Sequence, residues 1–418
     1  MTPAFALLAA AALPPLQPLI DAAPPGSVLV PPPGRYAGPV VITRALTLDG
    51  AGRVTVDGQG TGSVITIRAE GVTLRRLHIT GSGTSHDHMD GAITVEADHV
   101  EIRHNDLDNT LFGVQVNAAH GVLVCGNTIR STRDEPGLRG DGVRIWNGNH
   151  NTVSGNDIVE ARDVTFANAR DNLLAGNRVA HGRYGLQMVF APRNRVEDNQ
   201  FESNLTGIAV LYSDDVVIRR NRVVDSQGVS GVGVVFKESS QGVVEDNAFV
   251  RCSVGARTNS PTHPLNVVYF RRNLFAHNTA GMDFYGENGG HVIEHNRFDH
   301  NLVQVTVSAP MSARGNGWLG NEWDDYQGFD RDGDGVGDQP YERFAFADRI
   351  WLETPSATFF RNSPVLELLD FLERLAPFSN PELVLRDPRP AMTAAGTGPA
   401  GPPRERPRFI PSCPGDVP

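Results

Sequence analysis

VSGNDI (Val153–Ile158) and LAGNRV (Leu174–Val179) decide how this chain folds. Both read apolar-x-x-Asn-x-apolar. The pattern recurs as IRHNDL from Ile102, VCGNTI from Val124, VEDNQF from Val196, IRRNRV from Ile218, VEDNAF from Val244, FRRNLF from Phe270 and IEHNRF from Ile293. The asparagines stand at 105, 127, 156, 177, 199, 221, 247, 273 and 296, a period near 22 residues interrupted by insertions. A fixed period of this size marks stacked repeats. Eight residues after several of these asparagines, a glycine opens an alternating apolar run: GVQV at 113, GLQM at 185, GIAV at 207 and GMDF at 281. Period-two alternation marks strands with one buried face, and Gly or Asn between them marks turns.

No repeat leaves room for a helix, which excludes leucine-rich and ankyrin-like solenoids. The predicted fold is all-β: a right-handed parallel β-helix over residues 24–318, with about 10–12 rungs of about 22 residues. Rungs spaced by about 4.8 Å would make a rod roughly 50–60 Å long. The recurring asparagine has a structural reading: it tolerates a left-handed turn, and its amide bonds the equivalent amide one rung away. Cys125 and Cys252 then fall five rungs, roughly 24 Å, apart, too far for a disulfide. With Cys413 as a tail thiol, the three cysteines predict neither a disulfide framework nor a thiolate metal site.

A solenoid needs covered ends. Residues 1–23 read as a leader for export. The apolar run Ala4–Leu13 has the length of a secretory core, though no basic segment precedes it, and no stretch of the chain approaches a membrane span. The Pro/Gly-rich PPGSVLVPPPGRYAGPVVI suits a starting cap. Residues 319–390 are expected to hold a C-terminal acidic loop and helix. In SPVLELLDFLERLAPF, Ser363 is the N-cap, Pro364 the first turn and Pro377 the stop, and Val365, Leu368, Leu369, Leu372 and Leu375 form one stripe that would cover the open end. The Pro/Gly-rich tail, 391–418, is expected to be disordered. A net charge of −11, with no basic stripe, argues against a nucleic-acid partner.

Regular scaffolds place function in loops. The insertion GSGTSHDHMDGA offers His86, His88 and Met89 within four residues, donors suited to copper. A second insertion, STRDEPGLRGDG from Ser131, is a mixed-charge surface. In DRDGDGVGD, Asp330, Asp332, Asp334 and Asp338 fall at positions 1, 3, 5 and 9 of a calcium-loop pattern with Gly335 at the turn. Tyr341 occupies the twelfth position, where an EF-hand has Glu. The adjacent Asp214 and Asp215 need not converge, and no set of acids or lyase base identifies a catalytic centre.

Together, PPGSVLVPPPGRYAGPVVITRALTLDGAG, the Asn rungs, GNEWDDYQGFDRDGDGVGD and the LLDFLERLAP segment resemble the NosD family. The resemblance implies a periplasmic, non-enzymatic accessory protein in maturation of the copper-sulfur centre of nitrous oxide reductase. Its partners would be the permease and ATPase of an ABC transporter, the reductase and a copper chaperone, and copper would be held transiently. The alternative is a carbohydrate-binding or carbohydrate-processing β-helix, which would require converging acids in an aromatic-lined groove.

Overall fold

The computed structural model describes residues 12–131, 135–259, 267–286, 288–308, 310–345, 382–392 and 413. The chain is a parallel β-helix. Each turn contributes a strand to three faces, and the third-face ladder runs through twelve strands from Val40–Ile42 to Val303–Val307. One turn shows the plan. Thr152–Ser154 lies on the first face, Asp157–Val159 on the second and Asp163–Ala167 on the third, and Leu173–Ala175 then returns beneath Thr152–Ser154 in register. First and second faces merge into one 24-stranded sheet, because Thr47–Asp57 and Thr73–Thr80 run unbroken across the corner that later turns bend sharply.

That corner is where the asparagines sit, all buried. The amide N–H and Nδ2 of Asn156 both donate to Oδ1 of Asn177, at 2.9 Å each, and Asn177 repeats the pair onto Asn199. Each Nδ2 also reaches back to a first-face carbonyl, that of Val153 for Asn177. The left-handed conformation belongs to the preceding residue, not to the asparagine as the turn reading had it. This residue is Gly126, Gly155, Gly176 or Gly320 in some turns, and His104, Asp198, Arg220, Asp246, Arg272 or His295 in others, with φ between 52° and 65° among all but Gly320 at 67°. The asparagine is selected for its amide, which fills the space a buried N–H would otherwise face alone.

A tenth asparagine, Asn321, ends the series. With no further turn to supply an amide, Asp387 replaces it. Its buried carboxylate accepts from Gly320 N, Asn321 N, Asn321 Nδ2 and Trp323 Nε1.

The interior changes along the rod. The second-face column that runs through Val56, Ile79, Leu107, Ile129, Ile158 and Val179 becomes Phe249, Phe275, Phe298 and Trp323, whose rings stack at 5.3, 5.2 and 4.2 Å and close on Tyr341 at 4.3 Å. The repeated glycine answers these rings. A Cβ on Gly233 would lie 2.4 Å from the Gly255 carbonyl and 2.7 Å from Phe249, and Gly185, Gly255 and Gly281 are pressed in the same way by Phe201, Phe275 and Phe298.

At the start, the Pro/Gly-rich stretch forms the first turn itself, as Val28–Leu29, Gly34–Ala37 and Val40–Ile42. Its lid is the short helix Gln17–Ala22, with Leu16 and Ile20 buried. Gln17 satisfies both main-chain groups of edge residue Val41, accepting from its N–H at 2.8 Å and donating to its carbonyl at 3.0 Å. The other end is closed by an antiparallel pair, Tyr341–Ala345 with Glu382–Asp387, packed through Tyr341, Val384 and Leu385. The helix expected over 363–377, the start of the leader run and all of the tail from 393 except Cys413 lie outside the described residues.

The cysteine reading is overturned. Cys125 and Cys413 form a disulfide across 288 residues of sequence, while Cys252 is free and buried. Rung arithmetic separates only cysteines within the rod; Cys413 meets the repeat of Asn127. Burial pushes the Cys252 thiol up to about 11.

Asn177→Ala strips the acceptor from two buried donors of Asn156 and should cost about 2–4 kcal/mol in denaturant unfolding. Arg193→Ala, which breaks an exposed pair with Asp171, should cost less than about 1 kcal/mol. Alkylation of the oxidised protein should label no thiol in the native state, only Cys252 after denaturation, and Cys125 and Cys413 only after reduction; a labelled Cys413 in native protein would contradict the bridge.

Candidate functional site

Three described insertions share one edge: residues 82–90, 135–141 and 226–231 lie where the chain passes from the second to the third face, while the short helix Pro310–Arg314 is inserted between the third and the first. The first two meet. Ser85 and Asp90 close the 82–90 loop, with Ser85 N donating to Asp90 at 2.9 Å and Asp90 N to the Ser85 carbonyl at 3.0 Å. His86 Nε2 lies 3.1 Å from the Leu138 carbonyl, in the short turn Pro136–Leu138, and its ring meets the edge of Phe112 at 5.7 Å. Met89 takes a left-handed φ of 54°; Gln115 donates to its carbonyl and Arg144 to its sulfur at 3.1 Å. His88 is exposed. The structure therefore brings His86, His88 and Met89 onto one loop, where His86 and Met89 each have a protein partner, Leu138 and Arg144, that a metal would displace.

Beneath this loop lies a polar network that sequence reading missed. Asp141 and Asp163 are buried, held by Arg162 and Arg183 respectively, and Arg144 stands next to them. Burial raises the Asp141 proton affinity; Arg162 opposes the rise and the Asp163 carboxylate adds to it. The signal was present in GDGVR, ARDV and HGRY, where an acid or arginine recurs at the same place in three successive turns. These carboxylates are occupied by arginines, an arrangement that suits anchoring a loop better than donating a proton to a glycosidic oxygen. Asp214 accepts from Ser240 N and Oγ, and Asp215 occupies a left-handed corner, so the adjacent pair does not converge either.

In the acidic loop, Asp330 accepts from Gly333 N at 2.7 Å and Gly335 N at 2.9 Å, and both glycines have positive φ, 75° and 82°. Those N–H groups, Gly335 first, hold the Asp330 carboxyl below its usual range. Carboxylate oxygens of Asp330, Asp332 and Asp334 lie within 4.8 Å of one another and would suit a hard cation. Asp338 does not join them: it accepts from Arg331 N at 3.0 Å.

Among the described residues, no helix is long and apolar enough to cross a membrane. A family profile described as "Periplasmic copper-binding protein (NosD)" matches residues 130–328. The protein named "Probable ABC transporter binding protein NosD" in Pseudomonas aeruginosa is 31% identical over 415 residues, covering 86% of each chain. Its namesake in Stutzerimonas stutzeri is 27% identical, covering 83% of this chain and 82% of its own. Among solved structures, the PL6 family alginate lyase AlyGC superposes with a TM-score of 0.53 at 13% identity, over 73% of this chain and 49% of its own. The catalytic domain of a GH87 alpha-1,3-glucanase gives 0.52 at 12% identity, over 70% of this chain and 65% of its own. At such identities the enzymes share a fold and nothing more. The two relatives are similar along almost their full length, and on that ground the chain belongs to the NosD family of periplasmic copper-binding proteins.

Proposed function

We propose that this protein is a platform in maturation of the copper-sulfur centre of nitrous oxide reductase, exported to the periplasm and working with the permease and ATPase of an ABC transporter. In this reading it acts by binding its partners and not by catalysis. The observation that carries this reading is family membership joined to a regular scaffold on which two insertions, at 82–90 and 135–141, meet through His86 and Leu138. The edge they occupy is the surface for a copper chaperone or the reductase, with His86, His88 and Met89 offered to the copper a partner carries. The closed end, with its acidic loop, docks on the transporter. A disulfide joining Cys413 to the repeat of Asn127 supports an oxidising compartment such as the periplasm.

A carbohydrate-processing reading has less behind it. Its fold relatives are lyases and glucanases, but here the buried acids of the third face are engaged by arginines.

Replacing His86, His88 and Met89 together with alanine should lower the copper content of reductase assembled in cells at least several-fold, with the circular dichroism of the purified variant unchanged. Full copper content would remove the loop from the mechanism. Release of sugar fragments from an acidic polysaccharide by the purified protein would favour the other class. In the same reading the acidic loop holds calcium: at calcium a hundredfold above its dissociation constant the fold should gain about 2.7 kcal/mol, and Asp330→Asn with Asp332→Asn should abolish that gain in thermal unfolding.

A further inference from the structure

The edge that carries the insertions also carries a pair of histidines that no loop explains. FAHN (Phe275–Asn278) and FDHN (Phe298–Asn301) are successive turns of one pattern. Leu274–Ala276 pairs with Arg297–Asp299, with Ala276 opposite Asp299, so His277 and His300 follow at the same corner. Both are exposed, both have left-handed φ, 56° and 53°, and their ring centroids are 5.4 Å apart at a tilt of 38°. The backbone beneath them is fixed, since Asn278 N and Nδ2 both donate to Asn301 Oδ1 at 3.0 Å.

His300 is oriented further. Its Nδ1 lies 2.5 Å from Oδ1 of Asp299, which is 3% exposed and has its other oxygen 3.4 Å from Arg297. Its main-chain N–H donates at 2.6 Å to Asp324 on the following turn, whose second oxygen is held by Gln304. The donor atoms of Asp299, His300 and Asp324 lie within 4.8 Å of one another. A ring whose Nδ1–H goes to a buried carboxylate presents Nε2 as its lone pair, the arrangement that second-shell carboxylates impose on metal-binding histidines. The same corner in earlier turns carries Glu160, His181, Ser203, Asp225 and Arg251, so the residue type there varies, and at His277 and His300 two imidazoles fall on successive turns. Metal–nitrogen bonds of about 2.0–2.1 Å allow two rings at this separation to share one ion, and imidazole with carboxylate nearby suits copper.

We propose that His277 and His300 form a copper site on this edge, each giving one ring nitrogen, with Asp299 fixing the His300 ring and Asp324 adding negative charge beside it. Two protein nitrogens leave coordination positions open, so the ion can exchange with a partner that presents its own ligands. The proposal rests on the copper-handling reading above and names where the protein itself holds the ion.

The test uses the full-length oxidised protein, titrated with Cu(II) by electron paramagnetic resonance and with Cu(I) against a chromogenic chelator. Wild type should bind one ion with a two-nitrogen signature. His277→Ala and His300→Ala should each weaken binding at least tenfold and remove one nitrogen. Asp299→Asn should weaken it by about 10–100-fold while keeping both nitrogens. His150→Ala, another exposed corner histidine, should change affinity less than twofold. Because both ligands are exposed, their loss should leave thermal unfolding unchanged, which separates lost binding from lost fold. If the double variant His277→Ala with His300→Ala keeps wild-type affinity and spectrum, the site is wrong and copper handling stands. If wild type binds no copper, both fall.

Discussion

Everything in this molecule depends on where one buried amide per turn finds its acceptor. A corner that bends sharply inside a stacked rod presents a main-chain N–H to the interior, and water cannot reach it. The asparagine of the next turn supplies the oxygen and in doing so exposes its own N–H and Nδ2 to the same need. The requirement therefore passes from turn to turn, and only the ends can settle it. Leu77 N opens the series by donating to Asn105, and Asp387 closes it with four accepted bonds. Unsatisfied, each such donor would cost about 1–3 kcal/mol.

This constraint shapes where function can go. The asparagine corner tolerates nothing longer than its two-residue bend from Asn105 onward, whereas the second-to-third-face corner accepts the loops at 82–90, 135–141 and 226–231. Three of the described insertions lie on that one edge, and the stacked corner histidines share it. A surface for exchange with other proteins needs such a line of variable chain held on an invariant support, and here the support comes from hydrogen bonds and stacked rings deep inside.

The rod was legible because its physics repeats. Asn105 through Asn296 announced the period, the glycines at 113, 185, 207 and 281 announced third-face strands, and the inward place of the phenylalanines followed. What the sequence hid were single events. Asp387 lies 66 residues beyond the asparagine it serves, and Cys413 returns to a repeat 288 residues earlier; neither has a periodic signal. Asn321 was readable in WLGNEW but was obscured by the acidic loop that follows. The left-handed residue was misplaced by one because Asn is itself tolerant of that conformation, and the preceding Gly, His, Asp or Arg varies too much to suggest a rule. At the candidate site, the loop donors were visible but their separate partners were not, since Leu138 and Arg144 come from another turn.

The asparagine column also has a direction. Every described carboxamide from Asn105 to Asn296 turns its oxygen toward the amino-terminal turn and its nitrogen toward the carboxy-terminal one. Like peptide units aligned along a helix axis, these small dipoles add, leaving the last turn electropositive at its centre. A carboxylate rather than a tenth neutral amide is the natural stopper there, and Asp387 is that stopper. Whole turns could be duplicated or lost in the middle of such a column without redesign, provided the chain still ends by delivering one negative charge to its positive pole.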